Sequence, residues 1–532
     1  MTETKLPWLM GQSIFQYVKT NINKEGFFTK KSLPDSMTIV SIPDFSADLG
    51  GTDAYLVMAD NFEESLVAAS IYDAIEAYEK SPGPEQALAL YGKVCSTACI
   101  TYHEELVELL GNKTLSAALQ KLALTWLYNS PHREAVKFAI LLCGLIRLNA
   151  PAKHFEFGAK LHQELLMLAR CEEFTCYVVY TGHFNKTLTS QELFALIQHT
   201  TGWGKVCAME AYQYKTPAEQ EWLLVHGTEL SVSYPGIGLL ALQQGHLAEE
   251  LDKRKLGHAT YIGCLKAVNN YLLFLLGYGE LDDSDEERFP VVDLNKLIGN
   301  VLRHAKNYCE TIEDVAGLIN LSQELRAMAE AEDWQYISSN HCHLLLSQAE
   351  KLLFHKDWLP EITAQLLKAD GSVNYAVVSF AVAMQADIHT KLFAILKKDP
   401  WQTELYYYLL LTHNKRRFNA VMAFAKKYLM QYKDKEGALD PILAALGLRG
   451  GTEGSEVVIA GLTSIYDGTR GQALSVLENS SLEAITPEVR AALVRARAMS
   501  QHPFLVFRID VVLKKKQLNL NSLLETLSRM DG

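Results

Sequence analysis

Apolar residues recur every three or four positions through most of the chain, which is the spacing of one face of an α-helix. In residues 65–78 this face carries Val67, Ile71, Ala74, Ile75 and Tyr78. Similar segments follow one another to about residue 515, and few stretches alternate with the period of two that is typical of a β-strand. The pattern predicts an all-α protein.

One segment, residues 131–146, is apolar on nearly every side. A helix of this kind must lie between neighbouring helices, because no face of it favours water. Its start at Ser130-Pro131 has the same form as Thr216-Pro217 and Thr486-Pro487, in which a capping residue is followed by proline and then by an acid. These residues favour the first turn of a helix.

A short internal repeat indicates how the predicted helices are arranged. Residues 376–381 (Ala-Val-Val-Ser-Phe-Ala) resemble residues 420–425 (Ala-Val-Met-Ala-Phe-Ala), at an offset of 44 positions. HEAT and armadillo units repeat at about 40 to 47 residues. We therefore predict an α-solenoid of stacked antiparallel helix pairs of the HEAT or armadillo kind, with an irregular globular helical bundle as the alternative.

Helix-breaking residues divide the chain into three predicted parts. Prolines and glycines between residues 32 and 53 predict an irregular N-terminal cap over residues 1–60. Residues 277–290 hold two glycines, a run of acids and a proline, and cannot continue a packed helix. We expect a solvated loop there, separating an N-terminal half of the solenoid (61–280) from a C-terminal half (281–532).

Composition and charge narrow the function classes. Of the 532 residues, 48% are hydrophobic and 21% charged, as in ordinary globular proteins, and the net charge of −12 argues against a general attraction to nucleic acid or anionic lipid. The longest apolar runs are too short to span a bilayer, and the first residues lack the features of a secretory signal. Nine cysteines, an odd number, indicate free thiols in a reducing compartment. We expect a cytoplasmic protein without a membrane segment.

Residues 201–227 have the most unusual local composition. Trp203 lies between two glycines, Trp222 follows, and Lys205, Glu210 and His226 are close in sequence. We take these five residues as a candidate binding surface, in which the indoles form the walls of a pocket on the concave face. The alternative is that both indoles only fill gaps between helices.

The sequence of residues 201–227 resembles a segment of bacterial HEAT-repeat-like proteins of unassigned function, some of which are labelled limonene hydroxylase. The resemblance implies a helical-repeat fold and, through those labels, an oxidoreductase acting on limonene or perillyl alcohol. Such chemistry requires a cofactor or metal, and Gly236-Ile-Gly238 lacks the third glycine of a dinucleotide-binding turn. We expect no bound cofactor and no metal, and no catalytic residue can be named.

A second candidate surface is basic. Lys415, Arg416, Arg417, Lys426 and Lys427 lie along one predicted helix and the approach to it. They could follow a phosphate backbone, as in HEAT-like DNA glycosylases, or could simply be solvated. Against the net negative charge we favour the second interpretation.

Together these patterns favour a non-enzymatic cytoplasmic scaffold that binds a protein partner on the concave face of a helical repeat. An oxidoreductase of the limonene hydroxylase or perillyl alcohol dehydrogenase kind is one alternative. A nucleic-acid-binding HEAT-like protein is the other. The sequence leaves the partner and the oligomeric state open.

Overall fold

The computed structural model describes residues 6–35, 49–59, 64–111, 113–148, 155–278, 292–330, 337–430, 435, 437–450, 453–500, 502 and 504–514. Within these ranges the regular elements are helices and no strand occurs, apart from two isolated β-bridges, Ile22 with Phe28 and Leu367 with Val373. The predicted all-α class is confirmed. Most of the predicted loop at 277–290 lies outside the described residues.

The helices are numbered in chain order. The first fifteen are α1 Ile14–Thr20, α2 Gly51–Ala59, α3 Glu64–Lys80, α4 Pro84–Cys95, α5 His103–Gly111, α6 Ala117–Asn129, α7 Arg133–Leu148, α8 Phe155–Leu168, α9 Glu172–Phe184, α10 Ser190–His199, α11 Gly202–Ala211, α12 Pro217–His226, α13 Gly236–Gln244, α14 Leu247–Asp252 and α15 His258–Tyr278. The others are α16 Leu294–Ala305, α17 Ile312–Glu330, α18 Ser339–Leu353, α19 Leu359–Gln365, α20 Tyr375–Ala383, α21 His389–Lys398, α22 Glu404–Leu410, α23 Lys415–Leu429, α24 Asp440–Arg449, α25 Ser455–Leu462, α26 Asp467–Glu478, α27 Pro487–Met499 and α28, residues 504–514. Short 3-10 helices span Pro7–Leu9, Cys99–Thr101 and Leu482–Ala484.

Local capping explains several helix starts. Thr216 accepts a hydrogen bond from the backbone N–H of Glu219, whose carboxylate in turn accepts one from the backbone N–H of Thr216, and Pro217 fills the first position of α12. Thr189 and Glu192 form the same reciprocal pair at the start of α10. Such caps satisfy backbone groups that the helix itself leaves unpaired. Helices α12 and α27 begin at Pro217 and Pro487, so the predicted helix starts at Thr216-Pro217 and Thr486-Pro487 are confirmed.

The chain folds as two compact units. One comprises the described residues from 6 to 355, and the other the described residues from 356 to 514. The boundary predicted near 280 lies among residues 279–291, which are not described. The first unit contains residues 201–227, and the second contains the basic cluster of α23.

In the first unit, alternate helices pack side by side: α5 against α7, α7 against α9, and α9 against α11. Helix α7 also contacts α4, α6 and α8, and its residues from Ala135 to Cys143 are buried without exception. This agrees with the prediction that residues 131–146 lie between neighbours. Two of the buried α7 side chains, Glu134 and Lys137, are charged, and they begin the candidate site described below.

Helix α15 is the single described helix long and apolar enough to cross a membrane by length and composition, over His258–Gly277. About 67% of that window is buried inside the protein. Core helices commonly combine this length and composition with burial, so α15 alone is weak evidence for a membrane span.

Candidate functional site

A cluster of charged side chains lies inside the first unit, with Lys137 of α7 at its centre. Its Nζ donates hydrogen bonds to Asp53 Oδ2 at 2.8 Å, Glu134 Oε1 at 2.9 Å and Glu173 Oε1 at 2.7 Å. All four side chains are less than a tenth exposed. Charges at such depth are tolerated only when they are paired and hydrogen-bonded.

Arg133 extends the cluster toward the N-terminal segment. Its guanidinium lies 3.2 Å from Glu173 Oε2 and donates two hydrogen bonds to Asp35, at 2.9 Å to Oδ2 and 2.7 Å to Oδ1. The cluster therefore holds two cations, Arg133 and Lys137, against four carboxyl groups. This excess of carboxyl groups must be balanced by bound protons or by further hydrogen-bond donors.

Further donors come from distant parts of the chain. The backbone N–H of Gly50 donates to Glu173 Oε2 at 3.0 Å, and that of Cys99 donates to Glu134 Oε2 at 2.6 Å. The Tyr177 hydroxyl donates to Asp53 Oδ2 at 2.8 Å. Each buried carboxyl thus has a donor besides Lys137, and α2, α7 and α9 are held together by these bonds.

The carboxyl groups differ in how they respond to burial. Burial, together with the charges of Asp53 and Glu173, raises the pKa of Glu134 to about 7 despite Lys137. Burial also raises the pKa of Asp53, again against the charge of Lys137. Burial acts in the same direction on Glu173, but Lys137 and Arg133 outweigh it and lower the pKa of Glu173 to about 2. The cluster therefore contains one carboxyl group, that of Glu134, which can hold a proton near neutral pH beside another, that of Glu173, which stays ionised.

A pocket of about 820 Å³ opens onto this cluster, and we call it the large pocket. Asp53 and Glu173 are among its lining residues, and α2, α9, α11, α13 and α15 contribute to its walls. Its surface is mostly apolar and includes three aromatic rings, those of Trp203, Tyr234 and Phe274. The lining residues are Gly50, Asp53, Ala54, Val57, Ile100, Glu172, Glu173, Cys176, Trp203, Val206, Cys207, Glu210, Ser233, Tyr234, Pro235, Gly236, Leu273, Phe274 and Gly277.

The two glycines beside Trp203 allow α11 to approach α9 closely. Gly202 has φ +51°, a left-handed conformation that other residues rarely adopt, and a Cβ there would meet the Glu172 carboxylate. A Cβ on Gly204 would lie 2.9 Å from Glu172 Cα and would also meet the Thr175 hydroxyl. Glycine at both positions therefore permits the contact that places Trp203 over the large pocket.

Two thiols and an imidazole form a second group at the large pocket. Cys176 of α9 and Cys207 of α11 both line it, are half-buried and are hydrogen-bonded to each other. His103, at the start of α5, is hydrogen-bonded to Cys176 as well. His103 Nδ1 lies 3.0 Å from the Ile100 carbonyl oxygen and must donate to it, because a carbonyl only accepts. The Nε2 atom lies 3.7 Å from Glu104 Oε1 and is the ring nitrogen left to interact with the Cys176 sulfur.

These contacts shift the pKa values of the two thiols in opposite directions. The hydrogen bond from Cys207 lowers the pKa of Cys176, burial opposes this, and the bond with His103 lowers it further, to about 6. The bond to Cys176 and burial raise the pKa of Cys207 well above its usual value. Burial lowers the pKa of His103, but its interactions with Cys176 outweigh burial and raise it. Near neutral pH the arrangement favours a Cys176 thiolate with a Cys207 thiol as its donor.

Trp203 and Glu210, two of the five residues of the candidate binding surface, lie at the large pocket. The Trp203 ring meets the Tyr234 ring edge to face at 6.2 Å between centroids, and the Tyr234 hydroxyl donates to Glu210. Burial raises the pKa of Glu210, although the bond from Tyr234 opposes the shift. Trp203 thus forms part of an open wall.

The other three, Lys205, Trp222 and His226, line a separate pocket of about 440 Å³. Lys205 lies two residues after Trp203, about 200° around α11, which places it on the opposite face. Its Nζ donates to the backbone carbonyls of His226 at 3.2 Å and Glu229 at 3.1 Å, and burial lowers its pKa. The structure therefore divides the predicted surface into two groups on two sides of α11.

Sequence reasoning missed the residues that carry the charge cluster and the thiols. Neither Asp53 nor Cys176 belongs to a motif that the sequence predicts to be functional. One signal was available, because Lys137 is the single basic residue among the apolar positions 135–146 of a helix predicted to be enclosed. A lysine in such a helix must find buried acids. Cys207 lies three and four residues from Glu210 and Trp203, so it shares their helix face.

The basic residues of α23 do not form one face. Lys415 and Lys426 are eleven residues apart and align, whereas Arg417 is nine residues from Lys426 and points the opposite way. Arg417 donates to both oxygens of Asp387, at 2.9 and 2.8 Å, and Lys426 pairs with Glu456 at 2.5 Å. Two of the five cations are therefore neutralised by carboxylates. Arg416 and Arg417 also line a pocket of about 500 Å³.

Within the described ranges, no group of three or more His, Cys, Asp or Glu side chains is placed to hold a metal ion. No protein-family profile matches the chain, and searches of curated proteins and of solved structures find no match.

Proposed function

We propose that the first unit binds a small amphiphilic molecule in the large pocket. The observation that carries this proposal is the combination of mainly apolar walls with a few acidic groups in a cavity of about 820 Å³. Ligand pockets in proteins typically have about 300 to 1,000 Å³ and a few polar groups that orient the ligand. The volume and the lining both fit that description.

The lining also indicates the chemistry of the ligand. Three aromatic rings, from Trp203, Tyr234 and Phe274, offer flat apolar contacts. Among the described residues that line the large pocket, the charged ones are acids, including Asp53 and Glu210. None of these lining residues is lysine or arginine. Such a surface accepts hydrogen bonds and attracts cations, and aromatic faces do so as well. We infer a ligand with an apolar body and an amine or alcohol head, rather than a carboxylate or phosphate.

A matched pair of probes tests the charge preference. We expect 4-phenylbutylamine to bind the full chain and 4-phenylbutanoate, which has the same body and the opposite charge, to bind at least ten-fold more weakly, as measured by isothermal titration calorimetry. Perillyl alcohol, the neutral probe suggested by the resemblance, should also bind. Equal affinity for amine and acid would refute the inferred chemistry.

A pair of variants tests the location. Trp203→Ala removes a wall of the large pocket and should weaken amine binding by about ten-fold or more, which is the loss of one aromatic contact. Trp222→Ala makes the same change in the smaller pocket and should leave binding within about two-fold. Circular dichroism of both variants checks the fold. Equal losses in the two variants would place the ligand elsewhere.

We further propose that helix pairs stack in the HEAT-like manner. The side-by-side packing of α5, α7, α9 and α11 supports this. So does the burial pattern of the internal repeat, since positions 377, 378 and 381 are buried, as are 421, 422 and 425, while 376, 379, 420 and 423 are exposed. Small-angle scattering of the full chain would distinguish an elongated stack from a globular bundle.

A protein partner is the second candidate function, supported by an apolar face on α28 in the second unit. Phe504, Phe507 and Val511 lie at helical spacing and are 52%, 63% and 39% exposed. Exposed apolar patches of this kind commonly mark interaction surfaces. A Phe504→Ser/Phe507→Ser variant should keep its fold and lose a partner that the native chain retains from a reducing cell extract. Retention of the same partner by both proteins would contradict this role.

A further inference from the structure

The pair of thiols at the large pocket has the components of a redox centre. Cys176 and Cys207 lie on α9 and α11, which pack against each other and which the glycines of α11 bring close together. Both sulfur-bearing side chains are reachable from the large pocket, since each lines it and neither is fully buried. The ring of His103 is held by the bond to Ile100 and by edge contacts with Tyr177, which follows Cys176 in α9, and with Tyr180, at centroid distances of 5.6 and 5.0 Å.

We propose that Cys176 is a reactive cysteine that a hydroperoxide oxidises, and that Cys207 then resolves it to an intramolecular disulfide. This proposal is independent of the ligand-binding function, because it requires only access of a small oxidant to the sulfur through the same opening.

The reaction balances with the groups present. The Cys176 thiolate attacks one oxygen of the hydroperoxide, so that an S–O bond forms and the O–O bond breaks, and the His103 imidazolium protonates the departing alkoxide or hydroxide. The products are an alcohol or water and the sulfenic acid of Cys176. The Cys207 sulfur then attacks the Cys176 sulfur, the S–S bond forms, and the hydroxyl leaves as water with the Cys207 proton. A small dithiol restores both cysteines and is itself oxidised to a disulfide.

The charged groups around Cys176 come from three neighbouring elements. His103 of α5 and the Cys207 donor of α11 favour its thiolate, and Asp53 of α2 opposes it. Together they leave the pKa of Cys176 at about 6. Glu210 acts on Cys207, where it adds to the effect of Cys176 and helps to keep that thiol protonated. The pair therefore has one sulfur suited to attack the oxidant and one suited to remain a thiol until the second step.

The other cysteines have environments of the opposite kind. Burial raises the pKa of every one of them, as at Cys95, where it reaches about 12. Cys95 is half-buried like Cys176, which makes it a control for simple access. The other cysteines with a raised pKa are Cys99, Cys143, Cys171, Cys264, Cys309 and Cys342.

The first experiment measures alkylation of the reduced full chain by iodoacetamide as a function of pH, with site-specific mass spectrometry. Cleavage after Glu173 separates Cys176 from the neighbouring Cys171. Between about pH 8 and pH 6 the rate at Cys176 should fall only about two-fold, whereas that of a thiol with a pKa of 9.0 would fall about 90-fold. A steep fall at Cys176, or alkylation of Cys95 at an equal rate, would overturn the proposal.

Three variants separate the roles of the neighbours. Cys207→Ser keeps a hydroxyl donor and should preserve the pH profile of Cys176, whereas Cys207→Ala removes the donor and should shift that profile to higher pH. His103→Asn can keep a bond to the Ile100 carbonyl but has no second ring nitrogen for Cys176, so it should shift the profile upward as well. Unshifted profiles in both Cys207→Ala and His103→Asn would contradict the assigned contacts.

The second experiment treats the reduced chain with one equivalent of hydrogen peroxide and maps the products. The native chain should yield a peptide pair linked through Cys176 and Cys207, which dithiothreitol separates. In Cys207→Ser the sulfenic acid should persist at Cys176 and be trapped by dimedone. Oxidation spread over several cysteines without this link, or dimedone labelling that is equal in the native chain and the variant, would refute the proposal.

Discussion

Replacement of Lys137 by methionine should destabilise the first unit severely. Methionine fills much of the space of the lysine stem but has no charge. Its introduction would leave Asp53, Glu134 and Glu173 buried without the ammonium to which all three are bonded at 2.7 to 2.9 Å. Removing one partner of a buried ion pair costs about 3 to 5 kcal/mol, because the remaining charge is neither solvated nor paired. We expect a loss within that range at neutral pH.

The loss should depend on pH in a defined direction. Without Lys137 the pKa of each remaining carboxyl group rises in the folded state, since burial then acts with less opposition, and for Asp53 and Glu134 it rises further above the unfolded value. A carboxyl group with a raised pKa lowers stability as the pH rises. The difference between the variant and the native chain should therefore be largest near neutral pH and smaller near pH 5.

Hydrogen exchange of the full chain, followed by mass spectrometry, measures the loss of stability locally, because peptides from α7 and α9 report on the first unit alone. Lys160→Met is the control, since that ammonium is 74% exposed and lies 4.0 Å from Glu164. Its effect should stay within about 0.5 kcal/mol. A Lys137→Met loss below about 1 kcal/mol, or one that does not vary with pH, would refute the reasoning.

If Lys137→Met does not fold, the double variant Lys137→Met/Glu134→Gln provides the test. It removes one of the carboxyl groups left without a cation, so it should recover folding or at least 1 kcal/mol of the loss. No recovery at any pH would show that electrostatic imbalance is not the cause.

Further predictions concern Glu134 of α7 and two glycines, one in α11 and one in α4. In the native chain Glu134 has a pKa of about 7 against 4.5 for the unfolded chain, so its contribution to the free energy of unfolding should fall by up to about 3 kcal/mol as the pH rises from 4.5 to 7. Glu134→Gln should remove this pH dependence, as measured by urea unfolding at a series of pH values. An unchanged pH dependence in the variant would contradict the pKa. The loss of stability below pH 4.5 that Glu173 causes, with its pKa of about 2, should persist in this variant. Gly204→Ala should lower the stability of the protein by about 1 to 3 kcal/mol, because the added Cβ would lie 2.9 Å from the backbone of α9. Gly92→Ala, in an open position of α4, should instead raise the stability by about 0.5 to 1 kcal/mol. Thermal unfolding of both variants checks the difference in sign.

The placement of the large pocket beside the charge cluster has a structural consequence. Asp53 and Glu173 belong to both, so a ligand that contacts either carboxyl group also alters the environment of Lys137. Ligand binding and the stability of the first unit are therefore coupled, since any molecule that binds only the folded state stabilises it. The 4-phenylbutylamine probe should slow hydrogen exchange in α7 and α9.

The sequence by itself determined that the chain is helical, but not where every helix lies, since α1 and α2 fall within residues 1–60, where an irregular cap is predicted. The apolar spacing of three and four residues requires only a local comparison of neighbouring positions, and caps such as Thr216 and Thr486 act within a single turn. The enclosure of residues 131–146 also followed from composition, because a helix without a polar face has to be covered.

Only the tertiary structure decided which side chains meet. Of the carboxyl groups around Lys137, that of Glu134 is one turn away in the same helix, but those of Asp53 and Glu173 come from distant parts of the chain, and no local pattern fixes which distant acids a buried lysine will reach. Likewise, the sequence does not distinguish Trp203 from Trp222, whereas packing places Trp203 of α11 at the large pocket and Trp222 of α12 at the separate smaller pocket. Periodicity determines the face of a helix, whereas packing determines what that face contacts.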